Sequence, residues 1–267
     1  MKASPLLRAW LRRLEAQGVR LETSKRWLGF DNTPTILALG GASWPEMGSD
    51  GTWVEIFRTA GIKVNPLQAS NCRIIIPWTE HFKARFAGQP IKNLVLRYGK
   101  ATSKGEVIVS DQGLEGGAIY QLSASMRDHP GLPLTIDLKS ALNGDAIAKR
   151  LAQPRGSMSQ SNFLRKALGL TPPAIALLYE NQTRPMAERV KEFTLHPQGF
   201  AGITRAISTA GGVALSELDQ NCQLKTKPLT YCVGEMLDYD APTGGYLLQA
   251  AVSTAVAAAR DLVVKLA

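Results

Sequence analysis

Residues 229–262 spell out, in order, a short apolar strand, a glycine–acid turn, an acidic loop and a glycine pair heading a long Ala/Val/Leu helix. No other stretch restricts the fold as much. The strand, LTYCV at 229–233, has no polar/apolar alternation and reads as buried. A second run, TILAL at 35–39, has the continuous apolar character of a parallel strand covered on both faces, and it too ends in a glycine pair, Gly40-Gly41. These two runs stand near opposite ends of the chain, and the texture between them is different.

At the start, Ser4 is suited to cap a helix, Pro5 to its first position and Gly18 to its left-handed stop. Leu7, Trp10, Leu11 and Leu14 recur at helical spacing. A strand is expected at 19–21 and a helix at 51–60, stopped by Gly61. From 66 to 98 and at 106–109 β-branched runs such as Ile74-Ile75-Ile76 predict strands, with a hairpin loop at 100–105. Residues 116–126 read as helical and 134–138 as a strand. Short helices split by Pro154, Pro172-Pro173 and Pro185 fill about 141–192, and strand character returns at 193–195. The STAGG stretch at 208–212 reads as a turn. In the last helix, about 245–262, Leu248, Val252, Ala255, Val256 and Ala259 form one stripe for packing on a sheet. The chain is thus α/β, then β-rich and helical, then α/β again. Residues 1–64 and 204–267 are expected to form one discontinuous domain, with 65–203 inserted into it.

Several function classes recede. Cys72, Cys222 and Cys232 form no C-x-x-C pair, and His81, His129 and His196 lie far apart, so neither a disulfide framework nor a metal site is expected. The least polar run, 244–259, falls short of the roughly 20 residues of a membrane span, and no secretory leader is evident. A cytoplasmic protein is expected. Net charge is +9, yet no aromatic–basic array of the kind that reads RNA is present, so nucleic acid is not the expected partner. G-x-S-x-G, P-loop, H-E-x-x-H and G-x-G-x-x-G signatures are all missing.

What remains is the pair of glycine turns. Gly244-Gly245 removes Cβ atoms where a ring or phosphate could approach, and the N–H groups of Gly245, Tyr246 and Leu247 would favour negative charge there by about 0.3–2 kcal/mol. Glu235 and Asp238 could accept from sugar-like hydroxyls; an ordinary capped turn with solvated acids is an equal reading of the same residues. Taken alone, Gly40-Gly41 is better explained as a tight strand-to-loop turn.

Four blocks add a resemblance. LALGGASWPEMGSDG (37–51), SDQGLEGGAIYQLS (110–123), STAGGV (208–213) and GEMLDYDAPTGGYLLQAA (234–251) keep their order across most of the chain. Together they resemble the YhiN/BaiN-like NAD(P)/FAD-dependent flavoproteins, also known as the aminoacetone oxidase family. The resemblance implies an α/β fold: a partial FAD-binding, Rossmann-like domain of the glutathione-reductase type, interrupted by a β-barrel-like and helical middle region. It implies FAD as cofactor, NAD(P)H as a possible electron donor and a small-molecule redox substrate. Gly40, Gly41, Gly234, Glu235, Asp238, Gly244, Gly245, Tyr246 and Leu247 would line the flavin. Many relatives carry Asn at the position of Leu247, which leaves a backbone contact there. Tyr120, Arg165 and His196 are polar groups that could face a flavin but suit structural roles better. Family members open with a βαβ unit bearing G-x-G-x-x-G, which this sequence lacks. The chain is therefore expected to be an N-terminally truncated member with weak FAD binding, or else a non-enzymatic fragment.

Overall fold

The computed structural model describes residues 3–267, and the chain divides into two units, Met1–Asn32 and Thr33–Ala267. In the first, α1 (Ala3–Ala16) already includes Ser4 and Pro5 in its first turn, so Ser4 lies inside the helix instead of capping it. Gly18 takes the expected left-handed conformation (φ +84°) and donates to Glu15 O, which ends the helix. The strand expected at 19–21 does not form. Among the described residues no partner strand lies within this unit, and three residues cannot hold extended pairing alone. The Leu7, Trp10, Leu11 and Leu14 stripe is exposed.

The second unit starts with β1 (Thr35–Leu37), which pairs parallel with β10 (Thr230–Cys232), the two strands coming from opposite ends of the chain. Among the described residues no strand pairs with the other edge of β1. Next come α2 (Trp53–Thr59), ended by Gly61 as expected, and β2 (Val64–Ser70). A six-stranded antiparallel sheet follows, built from β3 (Ile74–Ile75), β4 (Pro90–Tyr98), β5 (Ala101–Ser110), β6 (Gly113–Glu115), β7 (Leu134–Asp137) and β8 (Phe193–Leu195). Its spatial order is β3-β6-β5-β4-β7-β8. Past β8 the chain returns to β3, where Ile75 N donates to Gly199 O and Gln198 N to Ile75 O, both at close to 2.8–2.9 Å.

Two expectations within this sheet change. β4 and β5 meet at a tight turn, Tyr98 pairing with Ala101, so 101–105 is strand and not loop. Residues 80–86 form a helix, α3 (Glu80–Phe86), inside a stretch read as strand. Thr79 caps it, its hydroxyl accepting from Phe82 N, and Phe82 and Phe86 share the buried face one turn apart. That cap-and-spacing signal was present in the sequence, masked by flanking β-branched residues.

Helices α4 (Gly117–Tyr120) and α5 (Ser123–Asp128) follow β6. Between β7 and β8 lie α6 (Gly144–Leu151), α7 (Gln160–Leu168), α8 (Pro172–Glu180) and α9 (Met186–Lys191), divided where the prolines stand. One apolar core joins the six-stranded sheet to these helices, from Ile74 and Phe82 through Leu96 and Ile136 to Leu177 and Val190.

The STAGG stretch is a strand, β9 (Ser208–Val213), antiparallel to β2. Its glycines serve close approach: a Cβ on Gly211 would stand 2.1 Å from Pro66 O, and one on Gly212 2.3 Å from Met236 O. The sequence therefore reads as a turn although the chain is extended. Last comes α10 (Tyr246–Leu266). It packs on β10 through Ala255, Ala258 and Leu262, against Tyr231 and Val233. Leu248, Val252 and Val256, expected to face the sheet, face outward instead. Small alanines win the inner face because they let the helix axis approach the strands. With 21 residues, α10 is also longer than the apolar run read from sequence, and by length and composition alone it could cross a membrane.

Candidate functional site

Parallel pairing of β1 with β10, in the register Leu37↔Cys232, brings the two glycine turns side by side at the carboxyl ends of both strands. Gly40 is left-handed (φ +74°) and its carbonyl accepts from Trp53 Nε1 at 3.0 Å. Gly41 has no room for a side chain, since a Cβ would sit 2.3 Å from Thr209 Oγ1. That same hydroxyl accepts from Ala42 N at 2.9 Å. On β10's side, Gly234 (φ +71°) donates its N–H to Thr254 Oγ1 of α10 at 3.1 Å.

Glu235 and Asp238 are engaged by the protein. Thr209 N donates to Glu235 Oε1 at 2.9 Å, and Asn65 Nδ2 to Asp238 Oδ2 at 2.6 Å. Thr209 thus joins both turns, its hydroxyl to the first and its amide to the second. Nothing in the sequence marked Thr209 beyond its place in STAGG. The loop beyond Asp238 is pinned as well: Ser70 Oγ donates to Asp240 Oδ1 at 2.6 Å, Arg127 forms an ion pair with Asp240, and Asn71 Nδ2 donates to Ala241 O at 2.8 Å.

Past that pinned loop the chain opens. Gly244 (φ +119°) and Gly245 (φ +91°) are exposed, and a Cβ on Gly245 would meet nothing within 4 Å. No side chain caps α10. Gln249 N is bonded to Gly245 O, so the N–H groups of Tyr246 to Leu248 precede the first intrahelical bond. Ala251 lies beside Gly234; at about 1.5 Å per residue, the helix head is then only about 9 Å further along the axis. The structure therefore groups Gly40, Gly41, Gly234 and Glu235 tightly, with Asp238 on the adjoining loop and Gly244, Gly245, Tyr246 and Leu247 at the open helix end. Beside Gly245 the space is open, whereas the Tyr246 ring lies 3.5 Å from where a Cβ on Gly244 would stand; the helix terminus favours negative charge there.

Other titratable groups offer less. Tyr120 is on α4, Arg165 on α7 and His196 just after β8, three separate places along the middle of the chain. All three cysteines are free, and burial pushes their thiols up, that of Cys232 to about 12, so none is a ready thiolate. Among the described residues no group of three or more His, Cys, Asp or Glu could hold a metal ion.

Residues 1–261 match the HI0933-like protein Rossmann domain. The chain belongs to this family. Similar proteins include a ribosomal RNA dihydrouridine synthase of Escherichia coli (strain K12), 24% identical over 248 residues that cover 85% of this chain and 60% of that protein. A protein of the same name from Haemophilus influenzae (strain ATCC 51907 / DSM 11121 / KW20 / Rd) is 24% identical over 85% of this chain and 59% of its own length. A 3-dehydro-bile acid delta(4,6)-reductase from Clostridium scindens (strain ATCC 35704 / DSM 5676 / VPI 13733 / 19) is 23% identical over 84% of this chain and 61% of its own length. The HI0933-like chain described here thus spans about 60% of the length of the curated relatives it matches.

Proposed function

We propose that this HI0933-like chain is a flavin-dependent oxidoreductase that takes electrons from NAD(P)H and passes them to an electron-poor carbon–carbon double bond. One observation carries the reading: two glycine turns meet at the carboxyl ends of a parallel strand pair, with an uncapped helix head opening beside them. In open α/β sheets that is where nucleotide cofactors bind. The names of the relatives support the reaction class. Dihydrouridine is uridine with two added hydrogens, and a delta(4,6)-reductase saturates carbon–carbon double bonds.

In this reading residues 1–64 and 204–267 are a partial glutathione-reductase-type FAD-binding domain, and 65–203 a barrel-like and helical insert. The N–H groups of Tyr246 and Leu247 would hold the anionic edge of the flavin, and Gly245 would leave the approach free of a side chain. Glu235 and Asp238 each have one oxygen engaged by the protein, which orients the carboxylate and leaves Glu235 Oε2 and Asp238 Oδ1 for hydroxyls of the ribityl chain. When bound, the flavin supplies the hydride chemistry; the residues supply binding, orientation and a field that tunes its potential. These 267 residues contain no G-x-G-x-x-G to cradle the pyrophosphate, so their affinity for FAD is weak. The chain acts in the cytoplasm, and α10 is a docked helix, since Thr254 and Asp261 tie it to β10 and its neighbours.

Titration of the purified chain with FAD, followed by flavin fluorescence, tests this. Saturable binding in the micromolar to submillimolar range is expected, lost on gel filtration, and weakened about tenfold or more by Gly245→Val, whose side chain enters the ring's approach. No saturable binding, or a Gly245→Val variant that binds as the parent does, would sink the flavin site. A second reading is favoured by the outer edge of β1, which has no partner strand among the described residues, and by the greater length of the relatives: a non-enzymatic piece of a flavoprotein. FAD-saturated protein that never oxidises NAD(P)H would establish it.

A further inference from the structure

The net charge is not spread evenly. In the first unit, residues 1–32, seven Lys/Arg stand against three Asp/Glu, so this short stretch carries +4 of the net +9. Within it, α1 has two unlike sides. At about 100° per residue, Leu6, Trp10, Leu14, Leu7 and Leu11 fill, in that angular order, one arc of about 140°. All five are exposed, from 38% at Leu11 to 60% at Trp10. Arg8 and Arg12 stand one turn apart on the opposite side, and Arg13 borders the arc beside Leu6. Glu15 is the one acid of the helix, and among the described residues none of the three arginines forms an ion pair.

Water suits neither side. A lone helix of this length is marginal, and such helices hold by burying an apolar face. Arg8 and Arg12 are like charges at i,i+4, a spacing that weakens a helix. One surface answers both faults: apolar within and anionic at its rim. An arc of Trp and Leu under half the circumference, with arginines over the remainder, is the build of a helix lying in the plane of a bilayer. Trp10 is central to the arc, and an indole favours the headgroup level. Arg13, at the arc's margin, has a stem long enough to lie along the apolar side while its guanidinium stays with the headgroups. The outward stripe of α10 lacks this pattern. Its two cations lie in the last two turns, and one of them, Lys265, is paired with Asp261.

We propose that α1 docks on an anionic phospholipid surface and holds the chain there as a peripheral protein. The Leu/Trp arc enters the boundary between headgroups and acyl chains, and Arg8, Arg12 and Arg13 meet lipid phosphates. An anionic cytoplasmic leaflet supplies both. This goes beyond the reductase reading and borrows nothing from it, since no glycine turn or helix-head residue takes part. The helical spacing is plain in the sequence; the structure adds that the arc is exposed, beside arginines that form no ion pair.

The whole chain is floated with vesicles of phosphatidylcholine alone, or of three parts phosphatidylcholine to one of phosphatidylglycerol. Binding about tenfold or more tighter to the anionic vesicles is expected, weakening with added salt. Arg8→Gln/Arg12→Gln should lose affinity by about fivefold per arginine. Leu7→Ser/Leu11→Ser should abolish flotation, whereas Leu248→Ser/Val252→Ser, a similar apolar loss on α10, should cost less than about twofold. Bromine-labelled acyl chains should quench tryptophan emission in the parent chain but not in Trp10→Phe, which keeps the arc apolar and still floats. That readout holds even where the serine variants fray α1. Equal flotation with both kinds of vesicle would overturn the proposal, as would quenching that survives Trp10→Phe. Binding to calcium-loaded calmodulin without flotation would assign the arc to an acidic protein groove and overturn it too.

Discussion

Glycines in this molecule do two unlike jobs, and substitution separates them. Gly41 is squeezed against Thr209, whereas Gly245 stands in open space and is held only by its backbone angle. Adding a methyl at Gly41 forces overpacking at the joint of the two glycine turns, at a cost of about 1–3 kcal/mol. Adding one at Gly245 costs about 1–2 kcal/mol for a left-handed alanine, with no collision. Thermal denaturation should therefore show Gly41→Ala lowering the melting temperature at least as much as Gly245→Ala. The Gly41 variant should also lose structure around Thr209, visible as faster amide exchange at Thr209, whose N–H is bonded to Glu235. Equal exchange at Thr209 in both variants would show that the packing reading of Gly41 is wrong. This distinction was illegible in the sequence. A glycine doublet looks the same whether it makes room for a ligand or for a threonine from a strand about 170 residues away.

At the scale of elements, the docking of α10 on β10 depends on a polar cluster at its far end. Tyr231 donates its hydroxyl to Asp261 Oδ2 at 2.6 Å, Lys265 pairs with the same carboxylate at 2.6 Å, and Asn221 Nδ2 donates to Asp261 Oδ1 at 3.0 Å. The ammonium of Lys265, then the hydroxyl of Tyr231, hold Asp261 below its ordinary value of 3.8. Burial, then the bond to Asp261, raises Tyr231 above 10.0, and Asp261 raises Lys265 above 10.5. Asp261 therefore contributes stability above its unfolded value and loses it as pH falls through the folded one. Tyr231 and Lys265 contribute below their unfolded values and lose it as pH climbs through the folded ones. Urea midpoints should be flat from about pH 5 to 9 and fall on both sides. Tyr231→Phe should lower the plateau and make the acid limb shallower, because Asp261 then loses one of its donors; an unchanged acid limb would show that the hydroxyl does not hold the carboxylate. Much of the element scale was legible. The proline-split helices 141–192 and both short apolar strands follow local rules, and local rules were enough there. What escaped was the choice of face on α10. Two stripes, one of alanines and one of larger aliphatics, both have helical spacing, and only tertiary contact decides which is inside.

That choice governs the behaviour of the whole molecule. With Ala255, Ala258 and Leu262 inward, the larger side chains Leu248, Val252, Val256 and Val263 form an outward stripe along most of α10, Leu248 being 75% exposed. The outer edge of β1 carries no partner strand among the described residues. An apolar stripe and an unpaired parallel edge in one α/β unit are both liabilities for association. The positive net charge of +9 opposes this at low ionic strength by mutual repulsion, and salt removes that opposition. Light scattering after size exclusion should therefore show self-association that grows with salt, the reverse of what ion-pair-driven assembly would give. Leu248→Ser combined with Val256→Lys should shift the population toward monomer without lowering the urea midpoint, since neither side chain is in the core. If the double substitution leaves the salt-induced species unchanged, the association runs through the strand edge instead. In that case a Pro at Ile36, whose N–H points away from β10 in a parallel register, should abolish it.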